Sequence, residues 1–188
     1  LMGQVADENA AYAKPVTFAN QIKTAKKLVK ELQDEKCDII ICLSHSGVST
    51  DKSGNWAGED VELADKVKGI DVIISGHTHT RIEKPIIVNG IPIVQAGEYG
   101  QYVGKLTISL NNSVVTVNDY SLIPVDDRIP GDREVNRLID EQKKAVTEEI
   151  LKPLGKDYDT KLAETDFHLE CNEQADIKGS KLGPLVAD

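Results

Sequence analysis

The sequence predicts an α/β fold of mixed character, with a βαβ unit feeding two β-hairpins and a long helix after them. Three observations predict it. Residues 38–43 and 71–75 each carry a short continuous apolar run and flank an amphipathic segment, the pattern of parallel strands covered on both faces. Two pairs of strand-like runs follow, one hinged on Asn89-Gly90 and the other on Asn111-Asn112-Ser113. Beyond residues 125–131, a charged stretch ending in Pro-Gly, one apolar stripe continues at helical spacing.

Taken in order, residues 20–36 place Ile22, Ala25, Leu28, Val29 and Leu32 three and four apart. With Asn20 able to accept from an early backbone N–H, they read as an amphipathic helix. Residues 38–43 are the first buried strand. A polar, glycine-containing loop leads to residues 59–68, where Val61, Leu63, Ala64 and Val67 mark a second helix that Gly69 ends. Residues 71–75 form the second buried strand, parallel to the first by a right-handed crossover. Residues 86–88 and 91–94 pair across Asn89-Gly90, whose residues suit the positive φ values of a type I′ turn. Pro92 has no N–H to donate, which places an unpaired edge at its strand. Leu106, Ile108 and Leu110 alternate with polar residues, as do Val115 and Val117, and these make the second hairpin. Asp132 caps a helix whose stripe is Val135, Leu138, Ile139, Ala145, Val146 and Ile150, closed by Pro153. Residues 154–188 are mostly polar and end in an apolar run without a helix stop signal, which reads as a truncated element.

The 188 residues carry a net charge of −9. That balance argues against a nucleic-acid backbone as partner, because there is no basic excess to release counterions. Phosphate-bearing substrates stay open, since bound metal ions can supply positive charge locally. The longest pure apolar run, residues 39–43, is far short of the roughly 18–20 residues of a membrane span. Leu1-Met2-Gly3 leads into a polar stretch with neither a charged n-region nor an h-region, so no signal peptide is read and the front does not look like a natural start. Cys37, Cys42 and Cys171 lack metal-type spacing and read as buried inert thiols.

The histidines carry the chemistry. His45 follows the first strand as Ser44-His45-Ser46-Gly47, and His77 and His79 follow the second as Ser75-Gly76-His77-Thr78-His79. In open α/β sheets, ligands bind beyond the carboxyl ends of the strands. Strands about 4.8 Å apart can bring imidazoles from neighbouring loops around one metal or a close pair. Gly47 and Gly76 allow tight backbone departures beside them. His45, His77 and His79 are therefore the candidate metal ligands, and His168, in the polar tail, reads as structural.

Gly76-His77-Thr78-His79 after residues 71–75 resembles the last motif of calcineurin-like metallophosphoesterases. Residues 38–47 resemble that family's strand ending in a hydrophobic-x-His-x-Gly motif. Residues 97–106 and 179–188 resemble segments of its bacterial 5′-nucleotidase and 2′,3′-cyclic nucleotide phosphodiesterase branch, with Gly179-Ser180 where a glutamate-serine pair is usual. The resemblance implies two divalent metals, zinc, manganese or similar, that activate water for attack on a nucleotide phosphate. In it, His45 and His77 would bind one metal and His79 the other. It also implies the C-terminal half of an αββα sandwich over residues 1–130, a connector helix over 131–153, and the start of a separate C-terminal domain over 154–188. The branch is usually exported to the periplasm or cell surface.

Three of the family's motifs do not occur in these residues: an Asp-x-His, a Gly-Asp-x-x-Asp and a Gly-Asn-His-Glu/Asp. They would supply the bridging carboxylate, the asparagine ligand and the catalytic histidine, so no catalytic residue is assigned here. Asp51 and Glu98 are not at motif positions. Two dications held by three neutral imidazoles alone would repel one another. The expectation is a chain from the middle of a longer enzyme, inactive or nearly so alone, binding at most one metal weakly. Its incomplete sheet would call for a partner chain or self-association. Two other readings stand beside this one: a self-contained His₃ mononuclear hydrolase, and a non-catalytic interaction domain whose histidines satisfy loops. The all-β second half argues against a (β/α)₈ amidohydrolase barrel.

Overall fold

A computed structural model describes residues 1–3, 12, 15–162 and 164–166 of the chain. The chain divides into two compact units, Leu1–Ile129 and Pro130–Asp188. In the first, helix α1 (Gln21–Asp34) starts where the Asn20 side chain accepts from the Lys23 N–H, and it buries Ala25 and Val29. Strand β1 (Ile41–Leu43) follows, then a short β2–β3 hairpin (Ser49–Thr50 and Trp56–Ala57) and helix α2 (Glu59–Lys66). Helix α2 stops before Gly69, because Val67 is already extended.

Strand β4 (Val72–Ile74) lies parallel to β1, with Ile41 opposite Val72 and Leu43 opposite Ile74. Asp71 sets the start of this ladder: its carboxylate accepts from Ile40 N at 2.7 Å, and its own N–H donates to Ile40 O at 2.8 Å. Strands β5 (Ile86–Val88) and β6 (Ile91–Val94) form a hairpin. Its turn residues Asn89 and Gly90 have φ of +49° and +84°, the signs a type I′ turn requires. The sheet order is β1-β4-β6-β5. Along the edge of β1 away from β4, Leu1 N donates to Leu43 O and His45 N donates to Leu1 O, at 2.7 and 2.9 Å.

Three expectations are corrected by this sheet. Strand β6 is interior rather than an edge, and Pro92 sits opposite Ile87 of β5. The ring is tolerated because Ile87 and Pro92 fall at the non-hydrogen-bonded position of the hairpin, and the pairing of β6 with β4 begins only at Ile93. Strand β1 is covered on one face, not both. Cys42 turns into the core with Leu63, Ile73 and Ile93, whereas Ile41 and Leu43 are 47% and 67% exposed. Helices α1 and α2 pack on one side of the sheet, and among the described residues of this unit the other side faces the second hairpin across a cleft lined by Ile41, Ile74, Val94, Leu106, Ile108 and Tyr120. Third, Cys37 is exposed while Cys42 is buried, because Cys37 lies past the end of α1.

The second hairpin is longer than the alternation suggests. Strands β7 (Tyr102–Asn111) and β8 (Val114–Pro124) pair along their whole length, with a register shift between Thr107 and Ile108. Asn112 and Ser113 turn the chain with φ of +48° and +60°.

In the second unit, helix α3 (Arg133–Val146) is capped by Asp132, whose carboxylate accepts from Glu134 N and Val135 N. A π turn (Thr147–Leu151) and a 3₁₀ turn (Lys152–Leu154) continue it. Pro153 thus lies inside the final turn, and Gly155 at φ +69° ends the run. His168, Cys171 and residues 179–188 lie outside the described residues. No helix among the described residues is long and apolar enough to cross a membrane.

Candidate functional site

Parallel pairing of β1 with β4 delivers two loops to the same edge of the sheet. Ser44 leaves β1 with its N–H on Ile74 O, and Ser75 leaves β4 with its N–H on Val94 O, both at 2.8 Å. The next residues carry the histidines. His45 and His77 meet edge to face, with ring centroids 5.1 Å apart and planes at 64°. His77 is half-buried and His45 exposed. The two glycines make this approach possible. A Cβ on Gly76 would lie 3.2 Å from His45 Nδ1, and a Cβ on Gly47, at φ +89°, would run into the Thr78 side chain.

His79 does not join that pair. Its Nδ1 lies 2.6 Å from Glu98 Oε2, and its ring tilts beside Tyr99 at 5.6 Å. Both His77 and His79 have positive φ, +74° and +55°. Such backbone costs about 1–3 kcal/mol per residue and persists only where its surroundings over-determine it.

Those surroundings are buried polar side chains. Asp60, in the first turn of α2, is wholly buried. Its Oδ1 accepts from Ser44 Oγ at 2.6 Å, and its Oδ2 accepts from Gly47 N at 3.0 Å and Ser75 Oγ at 2.6 Å. A serine hydroxyl has one proton, and Ser75 spends it on Asp60, so the Gln95 amide donates to Ser75 Oγ. In that orientation its NH₂ also reaches Thr78 Oγ1 at 3.3 Å, and its oxygen accepts from His79 N at 3.0 Å and Thr80 N at 2.9 Å. Asp60, Gln95 and Glu98 are the site residues that sequence reasoning missed. One signal was available, a serine at the end of each strand, just before His45 and just before the Gly76-His77 pair.

Cys42 lies on β1 close to this edge. Burial pushes its thiol up to about 11, so at neutral pH it is neither a nucleophile nor a ready metal ligand.

Residues 7–81 match the family model of calcineurin-like phosphoesterases. The trifunctional nucleotide phosphoesterase YfkN of Bacillus subtilis is 32% identical over 199 residues, covering 100% of this chain and 12% of that protein. The chain belongs to the calcineurin-like phosphoesterase family. A 5′-nucleotidase of Vibrio vulnificus is 30% identical over 95% of the chain and 38% of its own length. The crystal structure of calcineurin-like phosphoesterase YfkN from Bacillus subtilis superimposes with a TM-score of 0.51 at 23% identity, over 81% of this chain and 50% of that one. This likeness shows a shared fold. The chain thus spans well under half the length of these two curated relatives.

Divalent ions are implied by this family. His45 and His77 fit such an ion as two neutral imidazole donors converging from adjacent loops. Among the described residues, no three His, Cys, Asp or Glu side chains come together as a complete site. The three-histidine set is therefore two histidines together and a third turned aside onto Glu98.

Proposed function

We propose that the chain forms part of a metal-dependent phosphoric-ester hydrolase that acts on nucleotides. His45 and His77 donate imidazole nitrogens to one divalent ion, and His79, steered by Glu98, serves a neighbouring one. The supporting observation is the 5.1 Å pairing of His45 with His77 at the carboxyl edge of parallel strands, where open α/β sheets bind ligands. The curated relatives support the substrate class, being a nucleotide phosphoesterase and a 5′-nucleotidase. Bound divalent ions would supply Lewis acidity toward phosphate oxygens and lower the pKa of coordinated water.

What the chain itself contributes is donor placement. The half-buried His77 is held by backbone that Gly76 and Gln95 constrain, and the exposed His45 closes on it from the β1 loop. The Glu98 carboxylate lies 2.6 Å from His79 Nδ1, which would leave Nε2 as the ring nitrogen available to a metal. The carboxylate-bearing motifs of the family do not occur in residues 1–188, so turnover by the chain alone should be negligible.

Calorimetric titration with zinc tests this reading. Wild type should bind one zinc weakly, more tightly than magnesium, because imidazole suits transition metals and magnesium prefers oxygen. His77→Ala should abolish binding, and His168→Ala should leave it unchanged. Equal zinc affinity in all three would overturn the assignment. Metal-dependent nucleotide turnover by residues 1–188 would favour the His₃ mononuclear hydrolase instead.

A further inference from the structure

We propose that Asp60 and Gln95 are positioning residues that lock the β1 loop and the β4 loop to each other, and so set the His45–His77 pair. As a statement about metal binding this rests on the reading above; as a statement about geometry it stands by itself.

Neither side chain points at the open edge where a ligand would sit. Asp60 is wholly buried and Gln95 is 3% exposed. Burial of such polar groups is costly unless every partner is supplied, and here every partner belongs to one of the two histidine-bearing loops or the strands that launch them. Asp60 takes Ser44 and Gly47 from either side of His45, and Ser75 from the start of the other loop. Gln95 takes Ser75 and Thr78 with its NH₂, and the N–H groups of His79 and Thr80 with its oxygen. Among the described residues, Ser75 alone hydrogen-bonds both side chains. The network therefore runs from the backbone beside His45, through Asp60, Ser75 and Gln95, to the backbone of His79.

The network centres on the β1 loop and on a β4 loop whose backbone is unfavourable at two residues, which is where a positioning role would need it. His77 and His79 both sit at positive φ, and the side-chain amide oxygen of Gln95 holds two consecutive N–H groups that begin at His79. Outer partners of metal-binding histidines commonly fix ring orientation, and their loss typically costs about 10–100-fold in metal affinity.

The variants Ser75→Ala, Gln95→Ala, Asp60→Ala and Asp60→Asn test the idea in this chain, with thermal unfolding as the check on folding. The first readout needs no metal: the NOE between the His45 and His77 rings, and hydrogen-exchange protection of the Gly47, His79 and Thr80 amides. Ser75→Ala removes one hydroxyl and leaves both hubs in place, so it should remain folded while the NOE weakens and Gly47 and His79 lose protection. Gln95→Ala should lose protection at His79 and Thr80 first. Asp60→Ala should behave like Ser75→Ala, with the largest loss at Gly47. Asp60→Asn should rescue, because its oxygen can accept from Gly47 N and Ser75 Oγ while its NH₂ donates to Ser44 Oγ. The second readout is zinc affinity, expected to fall about ten-fold or more in the Ala variants and to recover in Asp60→Asn. Folded Ala variants that keep the NOE and the amide protection would overturn the positioning role, whatever zinc does. Wild type and His77→Ala binding zinc equally would overturn the metal reading alone and leave the NOE result to decide the geometry.

Discussion

Gly47 of the β1 loop lies directly against Thr78 of the β4 loop. A Cβ on Gly47 would run into the Thr78 methyl and hydroxyl and stand 3.0 Å from Gly76 O, at a φ of +89° that L-residues seldom adopt. The packing continues outward, since Thr78 Oγ1 accepts from Val48 N at 3.2 Å and pairs with Thr80 Oγ1 at 3.0 Å. The two histidine loops are thus in steric contact as well as bridged by buried polar groups.

Gly47→Ala should accordingly destabilise the protein by about 1–3 kcal/mol, through overpacking and an unfavourable backbone angle. For a chain of this size that corresponds to a fall of roughly 2–4 °C in Tm per kcal/mol. Differential scanning calorimetry checks it. An unchanged Tm would mean that the loops part without cost.

His79 faces Glu98 rather than the other two imidazoles. His79→Ala should therefore weaken zinc binding by this chain far less than His45→Ala does. Titration of the two variants side by side decides the matter. Equal losses would show that His79 swings away from Glu98 to complete the set.

The two cysteines of the first unit should differ sharply toward iodoacetamide. Cys37 is exposed and Cys42 buried, with the Cys42 thiol raised to about 11. Thiolate is the reactive form, so at pH 8 only about one Cys42 in a thousand is ionised, and its reactivity should rise as pH climbs toward 11. Peptide mapping after brief labelling at pH 8 should find Cys37 modified and Cys42 intact. Comparable labelling of both would show that β1 opens readily.

Leu63 and Leu43 offer a matched contrast. Leu63 is wholly buried in the core on α2, whereas Leu43 on β1 is 67% exposed. Leu63→Ala should cost about 2–5 kcal/mol from lost contacts and the cavity left behind. Leu43→Ala should stay within about 0.5 kcal/mol in the monomer. Urea unfolding of both variants measures the difference, and a large loss for Leu43→Ala would mean that the open sheet face is covered in solution.

Much of the fold is legible in the sequence, because the controlling interactions lie close along the chain. Asn20 caps α1 through an N–H three residues on, and Asp132 caps α3 through N–H groups two and three residues on. Asn89 and Gly90 turn a hairpin by their own φ preferences. The apolar runs of β1 and β4 announce parallel strands, and the histidines that follow them place a ligand edge. Distant packing decides the rest. Whether Ile41 and Leu43 are covered depends on which elements reach that face of the sheet, and alternation within β1 carries no such information. His79 turns to Glu98, and Asp60 to Ser44 and Ser75, because the β1–β4–β6 order stacks their loops in space. An isolated acid or amide in a sequence shows no sign of that neighbourhood. The sequence by itself determined the elements and the edge where His45 and His77 emerge. Tertiary structure alone decided which side chains hold them there, since a buried hydrogen bond between distant residues exists only once the sheet has brought donor and acceptor together.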